Sequence, residues 1–463
     1  MTEKKAMPKS EIAVANSQTY SEIMTWLLEQ LPMFHRVGPA AYRQGLEGIQ
    51  TLCRFLDYPE RRMGKVIHVA GTNGKGSVSH MMAAMLQAQG YRTGLFTSPH
   101  LRDFRERIRI NGQPIEEERV VHWVQTLQQC SAHPHASFFE FTTAMAFAYF
   151  AESELDFVVI ETGLGGRLDS TNVVKPILSL ITHISWDHMN LLGNSLPLIA
   201  AEKAGIIKPG VPLVLGRTQS EEIQKVFTSK ANELRCLLYY ADQCFQLSKS
   251  QKAGINAWRV LRNGKEWTEP LYCDLLGDYQ AENIGQALMA IEIMRQMGED
   301  LNHERCLQGL RDVSNLTGLQ GRWQIWGQHP LRITDVAHNE EGIGAVLNQV
   351  NTTLQNLAHQ ANEYQPRLHL VLGMVNDKDH DAVLSLMPKH AQYYFCAPNI
   401  PRALLREDLA EKAKTHGLIG SIWPSVDLAW RKAVHSADKF DLVLATGSFF
   451  VVAEITHDGQ FLH

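Results

Sequence analysis

The sequence predicts an α/β protein: an N-terminal P-loop-type domain with a mostly parallel sheet, then a smaller Rossmann-like α/β domain. Three observations predict it. Short branched apolar runs alternate with helical periodicities. One run, Val66-Ile67-His68-Val69-Ala70, leads straight into a glycine-rich loop and a helix-like segment, the context that gives such a loop meaning. The alternation breaks in a polar, glycine-containing stretch at 311–321 and then begins again.

Taken in order, Tyr20, Ile23, Met24, Leu27, Leu28 and Leu31 fall at helical spacing, and Tyr42, Leu46, Ile49, Leu52, Cys53 and Leu56 suggest a second helix. Each has one apolar face, as expected of helices covering a sheet. Residues 66–70 read as a buried strand. Residues 77–89 read as a helix, with Gly90 as its stop. Further strands are expected at 94–97, 157–160, 177–181 and 211–215. In the second domain, strands are expected at 331–334, 368–372, 393–396 and 442–445, and helices at 341–357, 382–387, 406–414 and 426–434. The expected organisation is a loose leader at 1–18, a nucleotide-binding domain at 19–314, a linker at 315–321 and the second domain at 322–463.

Composition excludes several classes. The 463 residues carry 44 basic and 49 acidic side chains, a formal net charge of −5, which argues against a dedicated nucleic-acid binder. Seven scattered cysteines form no C-x-x-C pair, so neither a disulfide framework nor a zinc site is expected, and a reducing cytoplasm is. No apolar run of about 18 residues marks a membrane span. The leader has no apolar core of a signal peptide. A cytoplasmic monomer acting on small molecules is expected.

A phosphate loop needs glycines so that backbone N–H groups can converge on anionic oxygens, a lysine to meet their charge and a hydroxyl to reach Mg²⁺. Gly71-Thr72-Asn73-Gly74-Lys75-Gly76-Ser77 supplies all three, with Gly76 separating the lysine from the hydroxyl. Glu161 ends a strand, where a carboxylate faces the ligand crevice of a parallel sheet. Mg²⁺ in nucleotide sites takes one or two protein carboxylates. His188 reads either as a further metal ligand or as a hydrogen-bonded structural residue. Lys203 alone reads as one half of a surface ion pair. Asp335 and His338 close the first strand of the second domain and face the cleft between the domains. Phe138-Phe139-Glu140-Phe141 offers aromatic rings for a flat heterocycle or for core packing.

These segments, in this order, resemble the dihydrofolate synthase and folylpolyglutamate synthase family of the Mur-ligase-like superfamily. The resemblance runs from about Tyr20 to Glu454. It is carried by residues 68–77, Thr97-Ser98-Pro99-His100-Leu101, 161–169, Asp187-His188, 202–206, Gly321-Arg322-Trp323-Gln324, 335–339, 373–379 and Thr446-Gly447-Ser448. It departs from the family pattern at Glu340, where proline is common, and at Gly277-Asp278-Tyr279-Gln280, where the family has Gly-x-His-Gln.

The resemblance implies ATP held by residues 71–77, with Lys75 as the nucleotide lysine, and by Asn283, Arg322 and Asp335. It implies one Mg²⁺ on Ser77 and Glu161 and a second metal on Ser98, Glu161 and His188. His338 would be a further catalytic residue, and Phe139, Leu168 and Asp169 would meet the acceptor substrate. It also implies a carbamylated Lys203. An ammonium about 4 Å from Mg²⁺ would be repelled by about 8 kcal/mol at an effective dielectric near 20, whereas a carbamate reverses the sign. The implied activity joins L-glutamate to dihydropteroate, and to the γ-carboxylate of reduced folates, through an acyl phosphate. Folylpolyglutamate synthase activity alone, or another Mur-type amino-acid ligase, is the alternative. A peptidoglycan-type ligase carries a nucleotide-sugar domain for which the 70 residues before Gly71 leave little room. A nucleotide-binding regulator without turnover is the rival from another class.

Overall fold

The computed structural model describes residues 18–31, 45–131, 136–250, 256–361 and 363–455. Most of the expected leader, and Tyr42 of the second expected helix, lie outside them.

The first sheet is built from β1 (Lys65–Ala70), β2 (Thr93–Phe96), β3 (Ile108–Ile110), β4 (Gln113–Pro114), β5 (Phe157–Glu161), β6 (Leu178–Ile181), β7 (Leu213–Leu215) and β8 (Leu238–Tyr240), in the spatial order β4-β3-β2-β5-β1-β6-β7-β8. Its strands run parallel except β3 and β4, which extend one edge antiparallel. All central strands are buried on both faces, which explains their continuous apolar runs. On one face lie helices Lys75–Ala88 and Gln280–Gln296; on the other lie Tyr20–Gln30, Glu47–Phe55, Glu117–Gln128 and Phe138–Glu152. The two N-terminal helices therefore do cover a sheet. Register sets Val69 beside Glu161 and Ala70 beside Ile181, so the chain leaves β1, β5 and β6 at one common edge.

A small antiparallel sheet follows, with β9 (Phe245–Lys249), β10 (Ala257–Arg262), β11 (Lys265–Glu266) and β12 (Leu271–Tyr272). The third sheet has β13 (Gln324–Gln328), β14 (Leu331–Thr334), β15 (Leu368–Leu372), β16 (Gln392–Phe395), β17 (Gly420–Ile422) and β18 (Leu442–Thr446), ordered β13-β14-β18-β15-β16-β17. Only β13 is antiparallel to its neighbour.

Several boundaries differ from expectation for local reasons. The helix expected at 77–89 begins at Lys75, because Gly74 at φ +89° turns the chain there. The strand expected at 211–215 begins at Leu213, after Pro212, which has no N–H to donate to a ladder. Helix Val313–Thr317 runs into the expected linker and ends at Gly318, φ +71°. Among the described residues no helix is long and apolar enough to cross a membrane.

Helix His303–Arg311 crosses helix Lys75–Ala88 at Gly309. A β-carbon there would lie 2.6 Å from Ala84 O and 2.7 Å from Met85 Cα. Backbone cannot swing aside as a side chain can. Gly309→Ala is therefore expected to lower stability by about 1–3 kcal/mol through overpacking, despite alanine's better helix propensity. Denaturant unfolding of both proteins checks this, and an unchanged or raised midpoint refutes it.

Candidate functional site

The glycine-rich loop leaves the end of β1 and is held from both sides. Thr72 N–H donates to His183 O at 2.7 Å, and Thr182 Oγ1 donates to Asn73 O at 2.6 Å. Two glycines are required by contact as well as by conformation. At Gly71 (φ +147°) a β-carbon would sit 1.8 Å from Thr182 Oγ1, and at Gly74 (φ +89°) 2.3 Å from Asn283 Oδ1. Helix Lys75–Ala88 has no side-chain cap, so its first N–H groups and dipole are left to the loop's cavity. Lys75 Nζ donates to Gly71 O and Thr72 O, both at 3.1 Å. Ser77 Oγ accepts from Gln280 Nε2 at 3.3 Å, and Gln280 in turn accepts from Asn283 Nδ2 at 2.7 Å.

Glu161 lies across the loop. A β-carbon on Gly76 would be 3.8 Å from its Oε2 and 3.5 Å from Arg322 Nη2. The Ser98 N–H donates to Glu161 Oε2 at 3.2 Å. Burial pushes the Glu161 carboxyl up to about 7, against the pull of Lys75, Ser98 N–H, Arg322 and Arg107. A carboxylate so desolvated favours a bound cation.

Lys203 is not a surface residue. It is 3% exposed, and its Nζ donates to Gly71 O at 2.8 Å. The ion pair expected nearby is made by Arg167, which meets Glu202 at 2.8 Å. Burial and the neighbouring Lys75 lower the Lys203 amine to about 7, so a large share is the neutral nucleophile at neutral pH.

Asp187 joins the two sheet-bearing parts. Lys378 Nζ donates to its Oδ1 at 2.6 Å, while His188 Nε2 and His338 Nε2 stand 3.6 Å and 3.8 Å from its Oδ2. His188, a hydrogen bond from His338 and the Lys378 ammonium hold the Asp187 carboxyl well below its ordinary range despite burial. Burial lowers His188 to about 3, so its imidazole is neutral and keeps a lone pair to offer. The His338 ring lies between two acceptors, with Nδ1 3.0 Å from Val336 O and Nε2 towards Asp187, and lines the cavity. Asn73 and Asn339 exchange side-chain hydrogen bonds at 3.3 Å and 3.0 Å across the same seam. Glu341 there takes Arg217 at 3.1 Å and also His183. Asp335, buried, accepts Tyr279 OH at 2.5 Å and Trp323 N–H at 2.8 Å on Oδ2, and Ala337 N–H at 2.9 Å on Oδ1.

One cavity of about 450 Å³ connects all of this, and every site residue expected from the sequence lines it. Phe139 and Leu168 form an apolar wall; the Phe139 ring packs so closely on Gly163 that a β-carbon there would lie 2.5 Å from it. Phe141, by contrast, is core. Asp169 lines the wall, but its carboxylate is taken up by Leu164 N–H, Thr171 N–H and Thr171 Oγ1, so it shapes the 161–169 loop. Among the described residues no group of three or more His, Cys, Asp or Glu side chains is placed to hold a metal ion. The donor set is instead a lone carboxylate with hydroxyls, the kind that Mg²⁺ shares with phosphates and water. Sequence reading missed Arg107, Asp377 and Arg402 as cavity residues. Asp377 stood inside a quoted segment, whereas Arg107 and Arg402 carry no local signal.

The Mur ligase middle domain family matches residues 69–291 and the Mur ligase glutamate ligase domain family matches residues 321–449. The dihydrofolate synthase/folylpolyglutamate synthase of Bacillus subtilis is 32% identical over 447 residues, covering 94% of this chain and 98% of that one. The structure of E. coli FolC in complex with DHPP and ADP superposes with a TM-score of 0.78 at 28% identity, over 94% of this chain and 96% of that one. A bifunctional folylpolyglutamate synthase/dihydrofolate synthase with Mn, AMPPNP and L-glutamate bound gives a TM-score of 0.77 at 30% identity, over 94% and 97%. With the relative of nearly equal length and the same cavity architecture in hand, the chain belongs to the dihydrofolate synthase/folylpolyglutamate synthase family of Mur-type, ATP-dependent amino-acid ligases.

Proposed function

We propose that this chain joins L-glutamate to dihydropteroate, and to the γ-carboxylate of tetrahydrofolate polyglutamates, with conversion of ATP to ADP and phosphate. The observation that carries the reading is the single cavity in which a phosphate loop, a desolvated carboxylate and an aromatic wall face one another. Relatives bearing both activities in their names, and solved neighbours described with DHPP, ADP and L-glutamate, support the choice of substrates.

In this reading the loop N–H groups and Lys75 take the ATP phosphates. Arg322 reaches the phosphates from the seam, and Asn283 and Asp335 hold the rest of the nucleotide. Phe139 and Leu168 receive the flat heterocycle, and Asp169 keeps their loop in shape. Ser77 and Glu161 suit one Mg²⁺, and Ser98, Glu161 and His188 a second, since these donors are oxygens and one neutral imidazole. Bound metal supplies charge neutralisation for the phosphates. The acceptor carboxylate oxygen forms a bond to the γ-phosphorus as the bond to the ADP oxygen breaks. The glutamate amine then displaces phosphate from the acyl carbon, with His338 placed to meet that amine or its proton. Lys75 and Arg322 stabilise the transferring phosphoryl group, and the closed seam keeps water from the acyl phosphate. Lys203 is carbamylated in this scheme: its neutral amine forms a bond to the carbon of CO₂ and gives up one proton to solvent, and the resulting carbamate anion answers the neighbouring Lys75.

Phosphate release is expected only when an acceptor and L-glutamate are both present, with dihydropteroate and tetrahydrofolate each competent. Release with neither acceptor sinks the assignment. Lys75→Met and Glu161→Gln should each lower kcat by roughly 10²–10³-fold while leaving the fold intact, the loss typical of removing one electrostatic stabiliser. A steady-state assay beside a thermal melt checks this.

Lys203→Ala should abolish activity, and short carboxylates such as acetate should restore part of it by standing in for the carbamate. With dissolved CO₂ held constant, occupancy of the carbamate rises as pH increases through about 7, because only the neutral amine reacts. An intact mass without the added 44 Da (about one CO₂) under such conditions, or no rescue by acetate, counts against the modification.

A further inference from the structure

Arg107 ends the short helical turn Phe104–Arg107 and is 2% exposed. Its backbone is fixed by the site itself. The Arg107 carbonyl accepts Thr97 N–H at 3.0 Å, and the next residue, Ser98, donates its N–H to Glu161. Its Nε donates to His100 Nδ1 at 2.8 Å, and its guanidinium carbon stands 5.4 Å from the centre of the Phe138 ring. Among the described residues neither Nη group has a hydrogen-bond or carboxylate partner, and the side chain lines the cavity.

A buried cation without an ion-pair partner is costly, so proteins bury one where an anion is to be received. Glu161 is the carboxylate whose field reaches Arg107 most strongly, but Lys75 and Arg322 draw on that same charge. Three cations thus face one carboxylate. Nucleotide phosphates answer Lys75 and Arg322. Arg107 stands against the Phe138 ring within the field of Glu161, in the cavity that Phe139 also lines. An anion there must belong to a molecule whose aromatic part lies along that wall.

We propose that Arg107 receives the reacting carboxylate of the aromatic acceptor, its two Nη groups forming the paired hydrogen bonds that a guanidinium makes with a carboxylate. This rests on the ligase reading above and adds a specificity residue to it. Arg107 keeps its protons throughout: it orients the carboxylate oxygen towards the γ-phosphorus and stays bonded to the acyl phosphate that results. It also sets the substrate class, selecting an acceptor carboxylate over its neutral amide.

The test uses the full chain with AMPPNP and measures binding of dihydropteroate and of its carboxamide. The native protein should prefer the carboxylate. Arg107→Gln should weaken carboxylate binding by about 10- to 100-fold, the range for losing hydrogen bonds to a charged group, and should bind the carboxamide as before. Arg107→Lys, which keeps the charge but not the fork, should fall between them. ADP affinity should be the same in all three, which certifies the fold. His100→Ala should retain the preference, because His100 merely braces the guanidinium. Equal binding of carboxylate and carboxamide by the native protein overturns the proposal, as does a parallel loss of both in Arg107→Gln. Reproduction of the effect by His100→Ala makes it a matter of packing and also overturns it. The ligase reading is decided separately, by acceptor-dependent phosphate release from the native protein.

Discussion

Burial of charge is the constraint on which this structure turns. The cavity holds Lys75, Lys203, Arg107, Arg322 and Lys378. Most carboxylates lining it are already engaged, Asp187 by Lys378, Asp377 by Arg402 and Glu341 by Arg217, which leaves Glu161 as the carboxylate facing Lys75, Arg322 and Arg107. Desolvation lifts Glu161 to about 7 and lowers Lys203 to about 7 and Arg107 to about 10. Each shift records a group whose charged form is disfavoured without a ligand. The backbone compensates where it can: Gly71 O serves both Lys75 and Lys203, and Ser98 N–H serves Glu161. What remains is an excess of cations local to Glu161 and the glycine-rich loop, inside a low-dielectric cleft.

The cations come from both sheet-bearing parts, so the field exists only when the parts are in register. Arg322 precedes β13 and Lys378 follows β15, while Lys75, Lys203 and Arg107 belong to the first sheet's edge. The ties that hold the register include Asn73 with Asn339, Asp187 with Lys378, Tyr279 with Asp335 and Arg217 with Glu341. Each begins or ends within a few residues of a group that faces the cavity. The phosphate loop is therefore coupled directly to the second part. Asn339 caps helix Glu340–Gln360 with the oxygen that also accepts from Asn73, so a shift of that helix is felt at the loop.

What the sequence made legible was local. A strand, three glycines, a lysine and a hydroxyl within about a dozen residues define the phosphate loop by their own geometry, and Glu161 is announced by its place at a strand end. Lys203 was different. Beside Glu202 it looked like half of an ion pair, and only the fold shows Arg167 in that role with Lys203 turned inward onto Gly71. Arg107 lay in a stretch without periodicity; its burial depends on Phe138 and His100, which come from separate segments. The small antiparallel sheet escaped for a similar reason, since β11 and β12 have two residues each and no alternation can be read in them. Asp169 shows the converse: a residue in the right segment whose carboxylate turns to the backbone, a matter of loop conformation that composition does not encode.

Tyr279 is where a departure from the family pattern becomes intelligible. The pattern places histidine there, so in this chain a tyrosine must position the segment that carries Asn283. In the structure the Tyr279 hydroxyl reaches Asp335 at 2.5 Å, and burial beside that carboxylate raises the phenol well above its usual range. Such a phenol keeps its proton at every physiological pH, so it always donates; an imidazole would donate from the same nitrogen only in one tautomer or when charged. Tyr279 directly precedes helix Gln280–Gln296, and the next turn carries Gln280 to Ser77 and Asn283 to Gly74. One phenolic hydrogen bond thus ties the strand end that presents Asp335 to the helix that braces the phosphate loop. Tyrosine at this position links the two sheet-bearing parts across the cavity without dependence on a titrating ring.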